Sequence, residues 1–131
     1  MQLGMIGLGR MGGNIVRRLM NNGHTAVVYD KDAKAVAGLA GEGAVGAGTL
    51  EDFVAKQEKP RTAWVMLPAG NITESTIEAL AKLMQPGDIF GEMSLIDGEP
   101  RSANAVARAE TTVIPINEEQ FLFLVGKLPY F

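Results

Sequence analysis

A glycine motif near the start of the chain constrains its fold more than any other feature. Gly7-Leu8-Gly9-Arg10-Met11-Gly12 follows the apolar run 3–6 and leads into residues 14–20, whose apolar side chains recur at helical spacing. Strand, glycine turn and helix are therefore contiguous. The first glycine permits the tight turn, the second lets backbone approach a diphosphate, and the third lets helix and strand pack closely. The motif predicts that a diphosphate lies on the free N–H groups at the helix N-terminus.

An acidic residue follows at the distance that a dinucleotide site requires. Asp30 lies eighteen positions after Gly12, at the end of the apolar run 24–30. A carboxylate there can accept hydrogen bonds from the ribose hydroxyls of NAD and would repel the 2′-phosphate of NADP. The ammonium of the neighbouring Lys31 can offset that repulsion. The sequence therefore predicts NAD or NADP as the cofactor, with NAD favoured, and the alternative is a glycine turn with a structural role alone.

The composition excludes several classes of protein. The net charge is −3 and Arg17-Arg18 is the longest basic cluster, which argues against a nucleic-acid partner. No apolar stretch approaches the length of a membrane span, so no membrane association is expected. The absence of cysteine excludes thiolate metal sites and fits a cytoplasmic protein. The single histidine, His24, has no partner at catalytic spacing, and no catalytic residue or metal site is predicted.

Strands and helices alternate along the first two thirds of the chain. Buried-type strands are predicted at residues 3–6, 24–30 and 62–67, with a very short strand at 44–46. Helices are predicted at residues 11–20 and 33–40, and two more begin at caps on Thr49 and Asn71. This alternation is typical of a parallel sheet covered on both faces. The predicted fold class is α/β, a truncated doubly wound sheet of the Rossmann type.

The pattern changes after residue 88. Runs of strand type at residues 89–96, 103–109 and 111–116 follow one another without helices, and a terminal helix carries Phe121, Leu124 and Val125. We therefore predict a dinucleotide-binding domain at residues 1–88 and a short β-rich segment with a terminal helix at residues 89–131. Exposed strand edges recruit their own chain or a copy of it, so a homodimer that buries these helix residues is expected.

Four segments of the first domain carry a family resemblance: GMIGLGRMGGNIVRRL, GHTAVVYDKD, KPRTAWVMLPAG and ITESTIEALAKLMQPGDI. Residues 1–89 resemble the nucleotide-binding domain of the decarboxylating 6-phosphogluconate dehydrogenases, within the β-hydroxyacid dehydrogenase family. The resemblance implies that the VMLPAG turn lies beside the nicotinamide end of the cofactor. The implied cofactor-binding residues are Gly7, Leu8, Gly9, Arg10, Met11, Gly12, Asp30, Lys31, Met66, Leu67 and Pro68. The substrate loop and catalytic helix of that family have no counterpart here, so cofactor binding without turnover is expected.

A second resemblance begins in the segment GDIFGEMSLIDGEPRSA, residues 87–103. It is similar to the phosphate-binding cassette of cyclic-nucleotide-binding domains of the catabolite-activator type. The resemblance implies that Glu92 binds a ribose hydroxyl and that Arg101 pairs with a cyclic phosphate, with Gly91, Ser102 and Ala103 alongside. Cyclic AMP is thus the alternative ligand, and a chimera of two families, natural or engineered, is suspected. A structural recombinant without a strong ligand is the third hypothesis.

Overall fold

The computed structural model describes the backbone of residues 1–92 and the side chains of residues 1–91. The five strands in this part of the chain are β1 (Gln2–Ile6), β2 (Thr25–Tyr29), β3 (Val45–Gly46), β4 (Thr62–Val65) and β5 (Ile89–Glu92). The four helices are α1 (Arg10–Asn21), α2 (Ala33–Gly41), α3 (Leu50–Ala55) and α4 (Asn71–Leu83). None of these helices combines the length and the apolar character that a membrane span requires. The predicted alternation, including the very short third strand, is confirmed.

The strands form one parallel sheet in the order β3-β2-β1-β4-β5. Gly4 of β1 pairs with Val27 of β2 on one side and with Ala63 of β4 on the other. The chain thus winds outward from β1 to β3, returns beside β1 as β4, and continues outward to β5. The direction of winding reverses between β1 and β4, and open α/β sheets bind their ligands at this switch point. The doubly wound α/β fold class is confirmed.

Two clusters of buried side chains cover the two faces of the sheet. Successive residues of a strand point to opposite faces, so Met5 and Ile6 enter different clusters, as do Val28 and Val27. The Ile6 cluster also contains the fully buried Phe53 of α3 and Leu80 of α4. The Met5 cluster also contains Val16 of α1 and Leu39 of α2. The helices therefore pack on both faces and leave the carboxyl edge of the sheet to the connecting loops.

Strand β5 pairs with β4 along its whole length, from Thr62 opposite Ile89 to Val65 opposite Glu92. The edge of β4, which the sequence pattern left without a neighbour, is therefore covered by residues of the same chain. The compact unit to which these strands belong runs from Met1 to Met93, and a second unit, Ser94–Phe131, lies outside the described residues. The division into two domains at residue 88 stays a prediction.

The helices begin in two different ways. The Thr49 hydroxyl accepts from the Asp52 N–H at 3.1 Å at the start of α3, as its sequence predicts. In contrast, α1 and α4 begin after Gly9 and Gly70 without a side-chain cap. The predicted cap at Asn71 is wrong, because Gly70 has φ +113° and turns the chain one residue earlier. Only glycine adopts such a backbone conformation readily.

Candidate functional site

The first and third glycines of the loop after β1 are required by close packing. Gly7 has φ +92°, and its N–H donates to the Tyr29 carbonyl at 3.0 Å. A Cβ atom on Gly7 would lie closer than 3.0 Å to the carbonyl oxygen of Met66, and one on Gly12 equally close to the carbonyl of Gly7. The loop is thus clamped between β1, the start of α1 and the end of β4.

The middle glycine faces open space. A Cβ atom on Gly9 would meet no other heavy atom within 4 Å, and Gly9 itself is exposed. Helix α1 starts at the next residue, with no side-chain cap and no acidic residue in its first turn. The first N–H groups of a helix have no partner within it and carry a partial positive charge. The open side of the loop therefore presents backbone donors to an anion.

Asp30 lies directly beside this loop. Its Oδ2 atom accepts from the backbone N–H of Leu8 at 2.6 Å, and its Oδ1 atom accepts from the N–H of Asp32 at 2.9 Å. A carboxylate offers roughly four acceptor positions, so capacity for further hydroxyl groups remains. Asp30 is half-buried and the adjacent Lys31 is exposed. The structure thus places a fixed acceptor at the end of β2, next to the glycine loop.

A crevice lies at the switch point between the glycine loop on one side and the segment after β4, Met66–Pro68, on the other. We call this segment the β4 wall. The Met66 N–H donates to the Ile6 carbonyl at 2.7 Å, which extends the pairing of β4 with β1. The Leu67 side chain would lie 3.1 Å from a Cβ atom on Gly7. Met66 and Leu67 are half-buried against the loop, whereas Pro68 is exposed. The residues assigned to the nicotinamide end are thus adjacent to those assigned to the diphosphate.

The remaining loop residues start the outer face of α1. Arg10 and Met11 line a cavity of about 470 Å³ together with Asn14, Ile15 and Arg18. Met11 is 56% exposed and lies outside the buried face of α1. The buried positions of α1 are Gly12, Gly13 and Val16, because the close approach of the glycines brings their side of the helix onto the sheet.

Of the five residues assigned to a cyclic nucleotide, only Gly91 and Glu92 lie in the part of the chain that the structure describes. Gly91 lies within β5, opposite Trp64, and is exposed. Glu92 ends the same strand, and its side chain is not described. Arg101, Ser102 and Ala103 lie outside the described residues. Among residues 1–91, no group of three or more histidine, aspartate or glutamate side chains is placed to hold a metal ion.

Two residues that are not among the predicted binding residues, the last residue of the VMLPAG turn and a threonine of α4, shape the β4 wall. Gly70 gives the turn its left-handed backbone, and Thr73 is buried, with 3% of its surface exposed. The Thr73 hydroxyl donates to the Pro68 carbonyl at 2.7 Å. The glycine could have been found from its place directly before a helix. The threonine could not, because its partner is a backbone atom.

A parallel sheet with this strand order, a glycine turn at the switch point and a carboxylate beside it define a dinucleotide-binding domain of the Rossmann type. The comparison with known families agrees. A family profile described as the NAD binding domain of 6-phosphogluconate dehydrogenase matches residues 2–114, and the chain belongs to that family.

Curated relatives of the chain are 6-phosphogluconate dehydrogenases. An NAD(+)-dependent, decarboxylating enzyme from Haloferax volcanii is 37% identical over 110 residues, which cover 84% of this chain and 36% of that protein. A decarboxylating enzyme from Synechococcus elongatus is 40% identical over 102 residues, covering 74% of this chain and 21% of that protein. The chain therefore spans about a third or less of the relatives that it matches.

Solved structures show the same fold at lower identity. A 3-hydroxyisobutyrate dehydrogenase from Mycobacterium tuberculosis superposes with a TM-score of 0.62 at 23% identity, over 70% of this chain and 30% of that one. A reductive aminase from Aspergillus terreus in complex with NADPH and ethyl levulinate superposes with a TM-score of 0.58 at 24% identity, over 70% of this chain and 30% of that one. Both support the fold alone.

The family match continues past residue 89, where the sequence analysis placed the change of resemblance. The profile reaches residue 114 and so covers the whole segment 87–103 that was compared with a cyclic-nucleotide cassette. The comparisons give no support to that second resemblance or to a chimera. The comparisons establish a cofactor-binding domain related to oxidoreductases.

Proposed function

We propose that the described part of the chain binds a nicotinamide adenine dinucleotide across the carboxyl edge of β2, β1 and β4. The diphosphate lies over the Gly7–Gly12 loop, the adenosine ribose lies at Asp30, and the nicotinamide half lies toward Met66–Pro68. The observation that carries this proposal is the open space over Gly9, beside glycines on either side that are fully enclosed. A loop that served packing alone would have no need of glycine at this exposed position.

The proposed cofactor is NAD in preference to NADP. The free acceptor positions of Asp30 suit two ribose hydroxyls, and its charge opposes a 2′-phosphate. The relative from Haloferax volcanii is named as NAD(+)-dependent. Lys31 is exposed, and its ammonium would attract the 2′-phosphate of NADP. It therefore reduces the preference for NAD.

The proposed role of the described residues is confined to the cofactor. Acid–base catalysis needs side chains within hydrogen-bond reach of the substrate, and the residues described above are all assigned to the cofactor. Within a dehydrogenase of this family, residues 1–92 would bind the dinucleotide. None of them is proposed to act on 6-phosphogluconate.

Substitution of the exposed glycine tests the proposal. Gly9→Val places a branched side chain where the diphosphate must approach, and Gly9 has φ −57°, outside the left-handed region that only glycine adopts readily. We expect NADH fluorescence titration to show binding by the wild type and none by Gly9→Val, with the circular dichroism spectrum retained. Gly38→Val in α2 is the matched control, because a Cβ atom there also meets open space. Normal NADH binding by Gly9→Val would contradict the loop assignment.

Two further expectations are tested on the same sample. Direct titration with cyclic AMP checks the alternative ligand, and we expect no saturable binding. The homodimer, with Phe121, Leu124 and Val125 buried, involves residues outside the described part of the chain and stays a proposal. Sedimentation equilibrium gives its mass directly.

A further inference from the structure

We propose that Thr73 is a positioning residue that holds the β4 wall of the crevice in the shape that the nicotinamide half of the cofactor needs. This inference rests on the proposed function. Thr73 is the third residue of α4, is buried, and contacts the turn through the Pro68 and Gly70 carbonyls. Its effect on the cofactor would therefore pass through the backbone of the turn.

The contact between Thr73 and the turn is specific. The hydroxyl donates to the Pro68 carbonyl at 2.7 Å, and the Thr73 N–H donates to the Gly70 carbonyl at 3.0 Å. Side chain and backbone of one buried residue thus tie both sides of the turn to the first turn of α4. A β-branched residue has few rotamers, so the hydroxyl keeps this direction at little entropic cost.

The topology places this turn on the nicotinamide side. Asp30 at the end of β2 takes the adenosine ribose, and the loop after β1 takes the diphosphate. The second nucleotide must then extend away from β2, and the next strand on that side of β1 is β4. Met66 and Leu67 already contact the glycine loop, so any displacement of the turn changes the width of the crevice.

Thr76 provides a matched comparison within the same helix. Its hydroxyl donates to the Ile72 carbonyl, also at 2.7 Å, but that partner belongs to α4 itself. Removing this hydroxyl changes a bond inside the helix and leaves the turn untouched. Thr73→Val and Thr76→Val are thus the same chemical change, and only the first reaches the β4 wall.

The experiment compares NADH with ADP-ribose, which lacks the nicotinamide ring, by calorimetric titration of the full chain. We expect Thr73→Val to weaken NADH binding by up to roughly tenfold, the most that the free energy of the one hydrogen bond to the turn can contribute, and to leave the affinity for ADP-ribose unchanged. Thr73→Ser, which keeps the hydroxyl, and Thr76→Val should both bind the two ligands as the wild type does. Should Thr73→Val fail to fold, Thr73→Ala removes the same hydroxyl and is expected to show the same selective loss.

The outcomes separate this inference from the proposed function. Equal weakening of both ligands by Thr73→Val would show a general structural role, and unchanged NADH binding would show that the bond to Pro68 has no role in the site. Either result overturns the positioning role while dinucleotide binding stands. A wild-type chain that bound neither ligand would refute the proposed function, and with it the role of Thr73.

Discussion

The backbone N–H of Leu8 donates to the Asp30 carboxylate at 2.6 Å, so the residue expected to recognise the ribose also holds the second position of the glycine loop. Hydrogen bonds to a charged acceptor are stronger than those between neutral groups. The conformation of the diphosphate loop and the choice of cofactor therefore depend on one side chain.

Substitutions at Asp30 should separate its two roles. We expect the wild type to bind NADH roughly tenfold more tightly than NADPH, because a carboxylate opposes the 2′-phosphate. Asp30→Asn removes the charge and keeps an acceptor for Leu8, so the two affinities should converge. Asp30→Ala removes both acceptors and should weaken both cofactors. Fluorescence titrations give all six dissociation constants, and tighter binding of NADPH by the wild type would refute the preference.

A side chain at Gly12 should destabilise the fold. The Cβ atom of Gly12→Ala would lie closer than 3.0 Å to the Gly7 carbonyl, and both groups are held by strand and helix backbone. We expect a loss of about 1–3 kcal/mol in the free energy of unfolding, as for other overpacked positions. Urea unfolding measures it, with Gly38→Ala as the control. Gly38 lies at an exposed helix position, so Gly38→Ala should raise the free energy of unfolding by up to about 1 kcal/mol. An equal response of both variants would be inconsistent with the packing described.

Breaking the buried ion pair between Arg61 and Asp88 should destabilise the fold strongly. The two groups are 3.0 Å apart, with 10% and 3% of their side chains exposed, and they join the starts of β4 and β5. Arg61→Met would leave the carboxylate buried without its cation, at a cost of about 3 kcal/mol. The exposed pair Arg17–Glu42 is the control, and Arg17→Met should change stability little. Chemical unfolding at pH 7 compares the two variants.

The same pair should make stability depend on acid pH. Burial raises the pKa of Asp88, but the N–H groups of Gln85 and Arg61 and the Arg61 guanidinium outweigh it and lower that pKa below its usual value. A carboxyl with a lowered pKa adds stability that is fully present above its unfolded pKa, about 4, and is lost as the pH falls through its folded pKa. The free energy of unfolding, measured between about pH 2 and 7, should depend less on pH for Asp88→Asn than for the wild type. An unchanged pH profile would exclude this carboxyl as the cause.

Truncation should reveal how much the fold depends on β5. A chain that ends at residue 88 lacks Ile89–Glu92 and exposes the edge of β4, whereas one that ends at residue 93 keeps the whole compact unit. An unpaired edge is a site of aggregation. We expect the shorter protein to be poorly soluble and the longer one to remain soluble, as measured by light scattering. Equal solubility would mean that β5 is dispensable.

The fold was largely predictable because its determinants are local. The glycine spacing, the apolar patterns of the strands and helices and the Thr49 cap each involve only a few neighbouring residues. The sheet topology follows from the order of the elements. Partners far apart in the chain could not be predicted. The pairing of β5 with β4, the bond from Leu8 to Asp30 and the pair of Arg61 with Asp88 appear only when the sheet has formed. The exposure of Met11 likewise depends on how closely the glycines of α1 approach the sheet.

The most direct test of dinucleotide binding is a titration of the isotopically labelled chain with NADH, followed through backbone amide resonances. We expect saturable shifts at three places that meet at the carboxyl edge of the sheet, namely residues 7–13, 30–32 and 66–70. Gly38 in α2 should remain unmoved. Saturable shifts confined to other residues, or none at all, would contradict the assignment of this crevice as the cofactor site.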